Sequence, residues 1–386
     1  LRKFFRGLIV LIFILIIPGL PLSAINIDGG PEPPPAVKEN LLLSFTGDMM
    51  AHIINYSMPD YSLIYRDIEK IMMSDSLTFS NVEFPVNPKL PQASYPVFNI
   101  HPEYVEAAVD AGVDVLSIAN NHTTDQGTDG LIATVGAMIK MKSDYRKEYG
   151  RYIYFSGAKE NPDIDFQPVA IYKNGWKIGY LAVSQFSNHV PRPGHMMLVD
   201  YRKSAQTEEF INWLKPQIEN YDLFILGYHG GVEYLPEPVS RKTEFFHELV
   251  AAGVDIIWGH HPHIIQPVEI VETEGNKGVI MNSLGNFISG QGRIIDPDLP
   301  EEEWSYTGDS AIIQVEISSG HKGALIGDVT AIPTANIVTT NREVVIAPLE
   351  DLTHQPVPEP WMNFFLERFI LMHDYFNRNI QYSVLP

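Results

Sequence analysis

Five apolar runs in this chain each stop at a carboxylate, an amide or a histidine, and that repetition limits the fold more than any other feature. LLLSFTG stops at Asp48, LTFSNV at Glu83, VLSIAN at Asn121 and His122, LFILGY at His229, and DIIWGH at His261 and His263. In an α/β sheet the C-terminal strand ends line one edge, so side chains distant in sequence meet there without long loops. The runs therefore read as strands that deliver one shared site. Their spacing predicts strands at 41–46, 77–80, 113–118, 177–183, 222–227, 254–258, 278–282 and 310–317, with helices near 61–73, 102–111, 128–142, 204–219 and 241–252. Alternation of this kind points to a helix-covered α/β architecture. The tetrapeptide AGVD occurs at 111–114 and again at 252–255. Each copy closes a helix on a glycine suited to a left-handed cap and opens a buried strand that runs into a histidine loop.

The residue types at these stops suggest a metal site. Carboxylate, imidazole and amide oxygen suit manganese, zinc or iron, whereas calcium favours more oxygen donors. The chain has no cysteine, which excludes thiolate zinc and disulfides. The candidates exceed one tetrahedral ligand set, so two divalent ions are expected. Taken singly, several have a plainer role: a Gly-Asp turn after a strand often serves as a turn or cap, and an Asn-Asn-His run caps helices. Residues 259–263 are harder to explain structurally, because three histidines sit there with Pro262 fixing the backbone between His261 and His263. His260 is expected to point elsewhere. The segment NSLGN at 282–286 reads as a strand-to-turn element; turn formation is the first reading of its spacing, and its amides, that of Asn286 included, are further candidates to line the site.

Charge and the chain ends bound the setting. Acidic residues outnumber basic ones by 47 to 27, a formal charge of −20, and such a surface repels nucleic acid and anionic lipid. Arg2, Lys3 and Arg6 precede an apolar run over 7–17 and a small-residue site ending at Ala24. This is the layout of a secretory signal, so residues 1–24 read as a signal peptide or N-terminal anchor of an exported protein, periplasmic or at the cell surface. Residues 25–40, rich in Pro and Gly, read as a spacer. The folded domain is expected over 41–335, followed by a helical extension over 336–386. There Trp361, Phe364, Phe365, Phe369 and Met372 recur at helical spacing and predict packing on the domain. Residues 290–309 carry prolines and acids and read as an acidic lid, which disfavours highly anionic phosphate substrates.

The blocks TGDMMAH, SNVEFPV, IANNHTTDQG, YHGGVEY, GHHPHIIQPVE and NSLGNF occur in that order across about residues 41–317. Together they resemble the capsule-synthesis protein A family associated with poly-gamma-glutamate capsules, itself similar to the calcineurin-like metallophosphatases. The resemblance implies a four-layer sandwich, two sheets flanked by helices, with a dinuclear site at the strand ends. It further implies Asp48 and His263 on one ion, Asn121, His229 and His261 on the other, and Glu83 bridging them. His122 would stand beside the substrate as acid or oxyanion stabiliser, and Glu233 would contact a metal-bound water or a substrate amine. One departure is Met50, where calcineurin-type enzymes carry a histidine; His52 is the candidate replacement. The implied function is a metal-dependent hydrolase or polymer-processing protein of envelope polymer biosynthesis. Its substrate would be an anionic or amide polymer such as poly-gamma-glutamate, and its neighbour a membrane-bound synthase or export complex. The alternative is a non-catalytic polymer-binding component of that complex.

Overall fold

The computed structural model describes residues 37–273, 276–291, 307–320, 323–339, 341–357 and 359–384. The expected signal segment, most of the spacer and the bulk of the expected lid lie outside the described residues. Residues 37–40 already belong to the fold: the ammonium of Lys38 pairs with Asp222 at 2.7 Å, and the indole of Trp176 donates to the carbonyl of Glu39 at 2.7 Å.

The chain builds one sheet, then a second, and then returns to the first. β1 (Leu41–Met49), β2 (Leu77–Val82), β3 (Val113–Ser117) and β4 (Tyr154–Ser156) lie parallel in that order. The second sheet follows with β5 (Val169–Lys173), β6 (Trp176–Ser184), β7 (Leu223–His229), β8 (Ile256–His260), β9 (Val268–Glu272) and β10 (Lys277–Met281). Its centre is parallel through β6, β7, β8 and β10. β11 (Asn286–Ile288), β12 (Asp309–Gly320), β13 (Gly323–Val338) and β14 (Val344–Pro348) then rejoin the first sheet. Its order is β14-β13-β12-β1-β2-β3-β4, with β11 also beside β1. Finally β15 (Ile380–Val384) pairs in parallel with β9 at the edge of the second sheet.

Strands buried on both faces explain why they read as unbroken apolar runs. In β6, Ile178, Tyr180 and Ala182 join the core shared with the first sheet. Leu181 and Val183 turn the other way, into the cluster with Phe210, Leu214, Phe245, Phe246 and Leu249. Those last five come from helices Ser204–Ile218 and Ser240–Ala251, which cover the second sheet. Helices Pro102–Asp110 and Gly127–Tyr149 bury Tyr104, Val105, Leu131, Val135 and Met138 in the core of the first sheet. The result is the expected sandwich of helix, sheet, sheet and helix. Both AGVD glycines serve as helix ends with positive φ, 125° at Gly112 and 110° at Gly253.

Aromatic residues join the two sheets. Phe45 and Phe79 stack at 4.6 Å, and Trp258 lies 6.0 and 5.9 Å from them. Its indole N–H donates to the carbonyl of Thr46 at 2.8 Å, a buried polar link between the layers. Trp258→Phe keeps most of the apolar contact but removes that donor, so it should lower unfolding stability by about 1–3 kcal/mol, read by chemical denaturation.

Three expectations need correction. The single helix near 61–73 is a 3-10 turn, Tyr61–Ile64, followed by one α turn, Glu69–Met72. Asp60 caps the first through the Ser62 N–H, and the intervening Tyr65 and Ile68 are pulled into the core. The domain boundary at 335 falls inside β13, because its β-branched residues continue the ladder with β12 and β14. The segment after it is therefore not only helical: β14 completes one sheet and β15 the other. The helix Glu359–Asn379 packs Phe364, Phe365, Met372 and Phe376 into the core.

Candidate metal centre

Parallel register sets the site. Across the first sheet, Asp48 of β1 is level with Asn81 of β2 and Asn286 of β11, and Asn81 is level with Ser117 of β3. In the second sheet Ser184, His229 and His260 stand in register across β6, β7 and β8. The C-terminal edges of both sheets thus bring their polar ends together. Gly47 makes the closest approach possible: a Cβ there would lie 2.0 Å from the carbonyl oxygen of Gly285, where Asp48 N–H donates at 2.9 Å. Only glycine lets β1 end against the turn that carries Asn286.

Glu83 stands at the centre. It is fully buried, and neither carboxylate oxygen has a hydrogen-bond partner. The Nε2 of His229 lies 3.4 Å from Oε1 and that of His263 lies 3.8 Å from it. Three groups of ligand atoms close enough to hold an ion occur here: Glu83 with His229 and His261, Asp48 with Glu83 and His263, and Glu233 with His261 and His263. Asn121 reaches the first group through Oδ1, 2.8 Å from His229 Nε2. Asn286 reaches the second, its Oδ1 3.0 Å from His263 Nδ1, a nitrogen also 3.4 Å from Asp48. His261 and His263 hold positive φ angles of 97° and 59°, a backbone cost that aims both rings inward.

The other expected residues are placed as follows. His122 is outside the three groups; its Nδ1 pairs with Asp125 at 2.7 Å, and its ring meets Phe98 edge-on at 4.8 Å. Glu233 lies at the mouth with its side chain 46% exposed, 4.0 Å from His261. His52 does not swing in to replace a ligand at Met50: its Nδ1 accepts from the Gly290 N–H at 3.1 Å and its ring packs on Phe98. Met50 is buried, its sulfur receiving the Ser289 hydroxyl. Among the described residues His260 enters none of the groups, and its ring lies edge-on to Trp258 at 4.1 Å.

Two contributors escaped the sequence reading. Asn81 donates from Nδ2 to Asp48 at 2.8 Å and lies 3.3 Å from His229 Nδ1, so one amide orients a residue from each side of the centre. It is two residues before Glu83, and a strand places such positions on the same face. Lys242 is fully buried with its ammonium on the carbonyl of Asn282 at 3.0 Å. Its place in the buried stripe with Phe245, Phe246 and Leu249 was the available signal.

Burial and charge pull these groups apart. Burial and then the neighbouring Asp48 push the Glu83 carboxyl up to about 8, with His263 and His122 opposing. Burial also works against the charge on Asp48, but the hydrogen bond and charge of His263, with His229 and His260, hold its carboxyl well below the usual range. His263 is opposed by burial yet lifted to about 9 by Glu83 and Asp48. Burial drops His229 to about 3, with Asp48 opposing and His263 adding to the fall, and burial with the neighbouring His229 and His263 pushes His261 well below its ordinary value. The set therefore combines two imidazoles held neutral, His229 and His261, with a carboxylate, Glu83, that receives no hydrogen bond. Such a donor set fits a divalent ion, which would satisfy the orphaned oxygens of Glu83.

The model of the bacterial capsule synthesis protein PGA_cap family matches residues 42–291. The capsule biosynthesis protein CapA of Bacillus anthracis is 28% identical over 291 residues, 72% of this chain and 64% of that protein, so under two thirds of its length is spanned. The PGA biosynthesis protein CapA of Bacillus subtilis is 29% identical over 294 residues, 73% of this chain and 69% of that protein. A calcineurin-like phosphoesterase from Bacillus subtilis superposes over 88% of this chain and 99% of its own with a TM-score of 0.44 and 14% identity. The family match covers the strand ends from Asp48 to Asn286 that build the centre described above, and the chain belongs to the bacterial capsule synthesis protein PGA_cap family.

Proposed function

We propose that this protein is an exported, divalent-metal-dependent hydrolase that processes an amide-linked capsule polymer of the poly-gamma-glutamate type. One observation carries the reading: the two oxygens of Glu83, buried without any donor, between the imidazoles of His229 and His263. A buried carboxylate left in that state costs several kcal/mol unless a cation meets it. Asp48, Glu83 and His263 would hold one ion, and Glu83, His229, His261 and Asn121 a second. When bound, such ions supply Lewis acidity and acidify a water. The chain's own contribution is orientation. Asn81 fixes Asp48 and His229 together, Asn286 and Asp48 fix the ring of His263, and Asp125 keeps a proton on His122 Nδ1. His122 then has Nε2 available to give or take a proton at the substrate's leaving group. The polymer assignment is supported by the Bacillus relatives, which are capsule and PGA biosynthesis proteins.

The test is metal content in protein purified without chelator, followed by cleavage assays on a γ-glutamyl amide and on a phosphoester. The expected result is bound divalent metal and amide cleavage that His229→Ala and His261→Ala abolish together with the metal. A metal-free protein whose function survives both changes would make it a polymer-binding component of an export complex instead.

A further inference from the structure

Among the described residues Glu233 differs from the other carboxylates near the centre. Asp48, Glu83 and Asp125 have side chains that are 0% exposed, whereas the Glu233 side chain is 46% exposed while still 4.0 Å from His261. Its position is built: the preceding loop starts at the end of β7, and the next residue, Tyr234, donates its backbone N–H to the carbonyl of Pro262 at 2.9 Å. Tyr234 holds a positive φ of 59°, and its ring lies 6.2 Å from that of His263. Its phenol oxygen accepts from Gln291. Tyr95, 67% exposed, brings its ring to 6.4 Å from that of His122. Among the described residues the mouth thus offers the open carboxylate of Glu233, with a tyrosine ring near His122 and another near His263.

An open acid that shares a site mouth with tyrosine rings is suited to a cation, since carboxylate and ring faces both attract an ammonium group. The same acid, on a chain with a formal charge of −20, repels carboxylates approaching from solvent. A γ-linked glutamate chain carries a carboxylate on every residue and a single ammonium, at its amine terminus. We infer that Glu233, beside Tyr234 and in the mouth that Tyr95 also lines near His122, binds the free amine terminus of the polymer, so that the site works at a chain end and not along its interior. This rests on the amide-polymer reading of the same site.

The probe is tri-γ-glutamate, with a free or an N-acetylated amine, titrated calorimetrically into the full chain at pH 7 and about 0.1 M salt. Metal content is measured in parallel on the same samples. The inference expects the free amine to bind about tenfold or more tightly than the acetylated form. Glu233→Gln should erase that preference, Glu233→Asp should keep part of it, and all three proteins should hold the same metal. Equal binding of the two peptides, no binding of either, or a preference that survives Glu233→Gln would overturn it. Loss of metal in Glu233→Gln would overturn it as well, by making Glu233 a ligand. A metal-free wild type that still prefers the free amine would sink the hydrolase reading and leave amine recognition standing.

Discussion

Glu83→Gln should lose divalent metal while gaining stability in the metal-free state at alkaline pH. The substitution keeps the shape of the side chain but removes a carboxylate that receives no hydrogen bond from the protein. Burial and Asp48 raise the Glu83 carboxyl to about 8 in the folded chain, above its ordinary 4.5. A raised acid favours folding while it stays protonated, so its contribution is present below the unfolded value and is lost as pH climbs from about 4.5 through about 8. Glutamine has no such loss. Metal-free Glu83→Gln should therefore match or exceed the wild type in melting temperature above pH 8. With metal the order reverses. Saturating manganese or zinc at about 100 times the dissociation constant should stabilise the wild type by about 2.7 kcal/mol and leave the variant unmoved. The affinity loss should exceed about a hundredfold, more than removal of an outer-sphere partner typically costs. Binding to the wild type should also strengthen as pH rises towards about 9, because protons leave Glu83 and His263 on loading. Glu83→Gln should lose its share of that dependence.

His122→Asn should show the complementary pattern, with metal retained and turnover lowered by about 10²–10⁴. His122 lies outside the ligand groups, buried, and held through Nδ1 by Asp125 at 2.7 Å. Asp125 is itself fixed by the backbone N–H of Phe98 at 2.9 Å, so the pair is rigid without any ion. Asp125→Asn should reproduce part of the loss by disturbing the tautomer that places the proton on Nδ1. Metal analysis and single-turnover rates on the same preparations separate this outcome from a binding defect. Equal loss of metal in both variants would assign His122 to the ligand set.

The strand ends were legible because the chemistry and the pattern coincide. Each of these strands is buried at its C-terminal end, so the carboxylate, amide or histidine that stops the run marks where the strand reaches the sheet edge. Asp48, Glu83, Asn121, His229, His261 and His263 all meet there, from five different strands or the loops that follow them. Asn81 was overlooked because it lies inside a run that the apolar pattern treats as strand, although its spacing of two from Glu83 places both on one face. Lys242 was overlooked because lysine on a helix reads as solvent-facing, whereas here it occupies a core position of the helical stripe. His52 was the natural candidate to replace the missing histidine at Met50, yet the Gly290 N–H holds its ring nitrogen, a contact between segments far apart in sequence that spacing cannot reveal. The C-terminal strands failed for a related reason. β14 and β15 are short and gain their stability from partners already laid down, the long β13 and the edge strand β9. Pro348 closes β14 without breaking it, because proline is compatible with strand ends.

The central claim is that Glu83 joins two metal positions at the meeting point of the sheets. Anomalous diffraction from crystals of the manganese-loaded protein tests it most directly. The account predicts two peaks on either side of the Glu83 carboxylate, one beside Asp48 and His263 and the other beside His229, His261 and Asn121. Loaded crystals with no peak within reach of Glu83, or with metal only at Glu233, would contradict it.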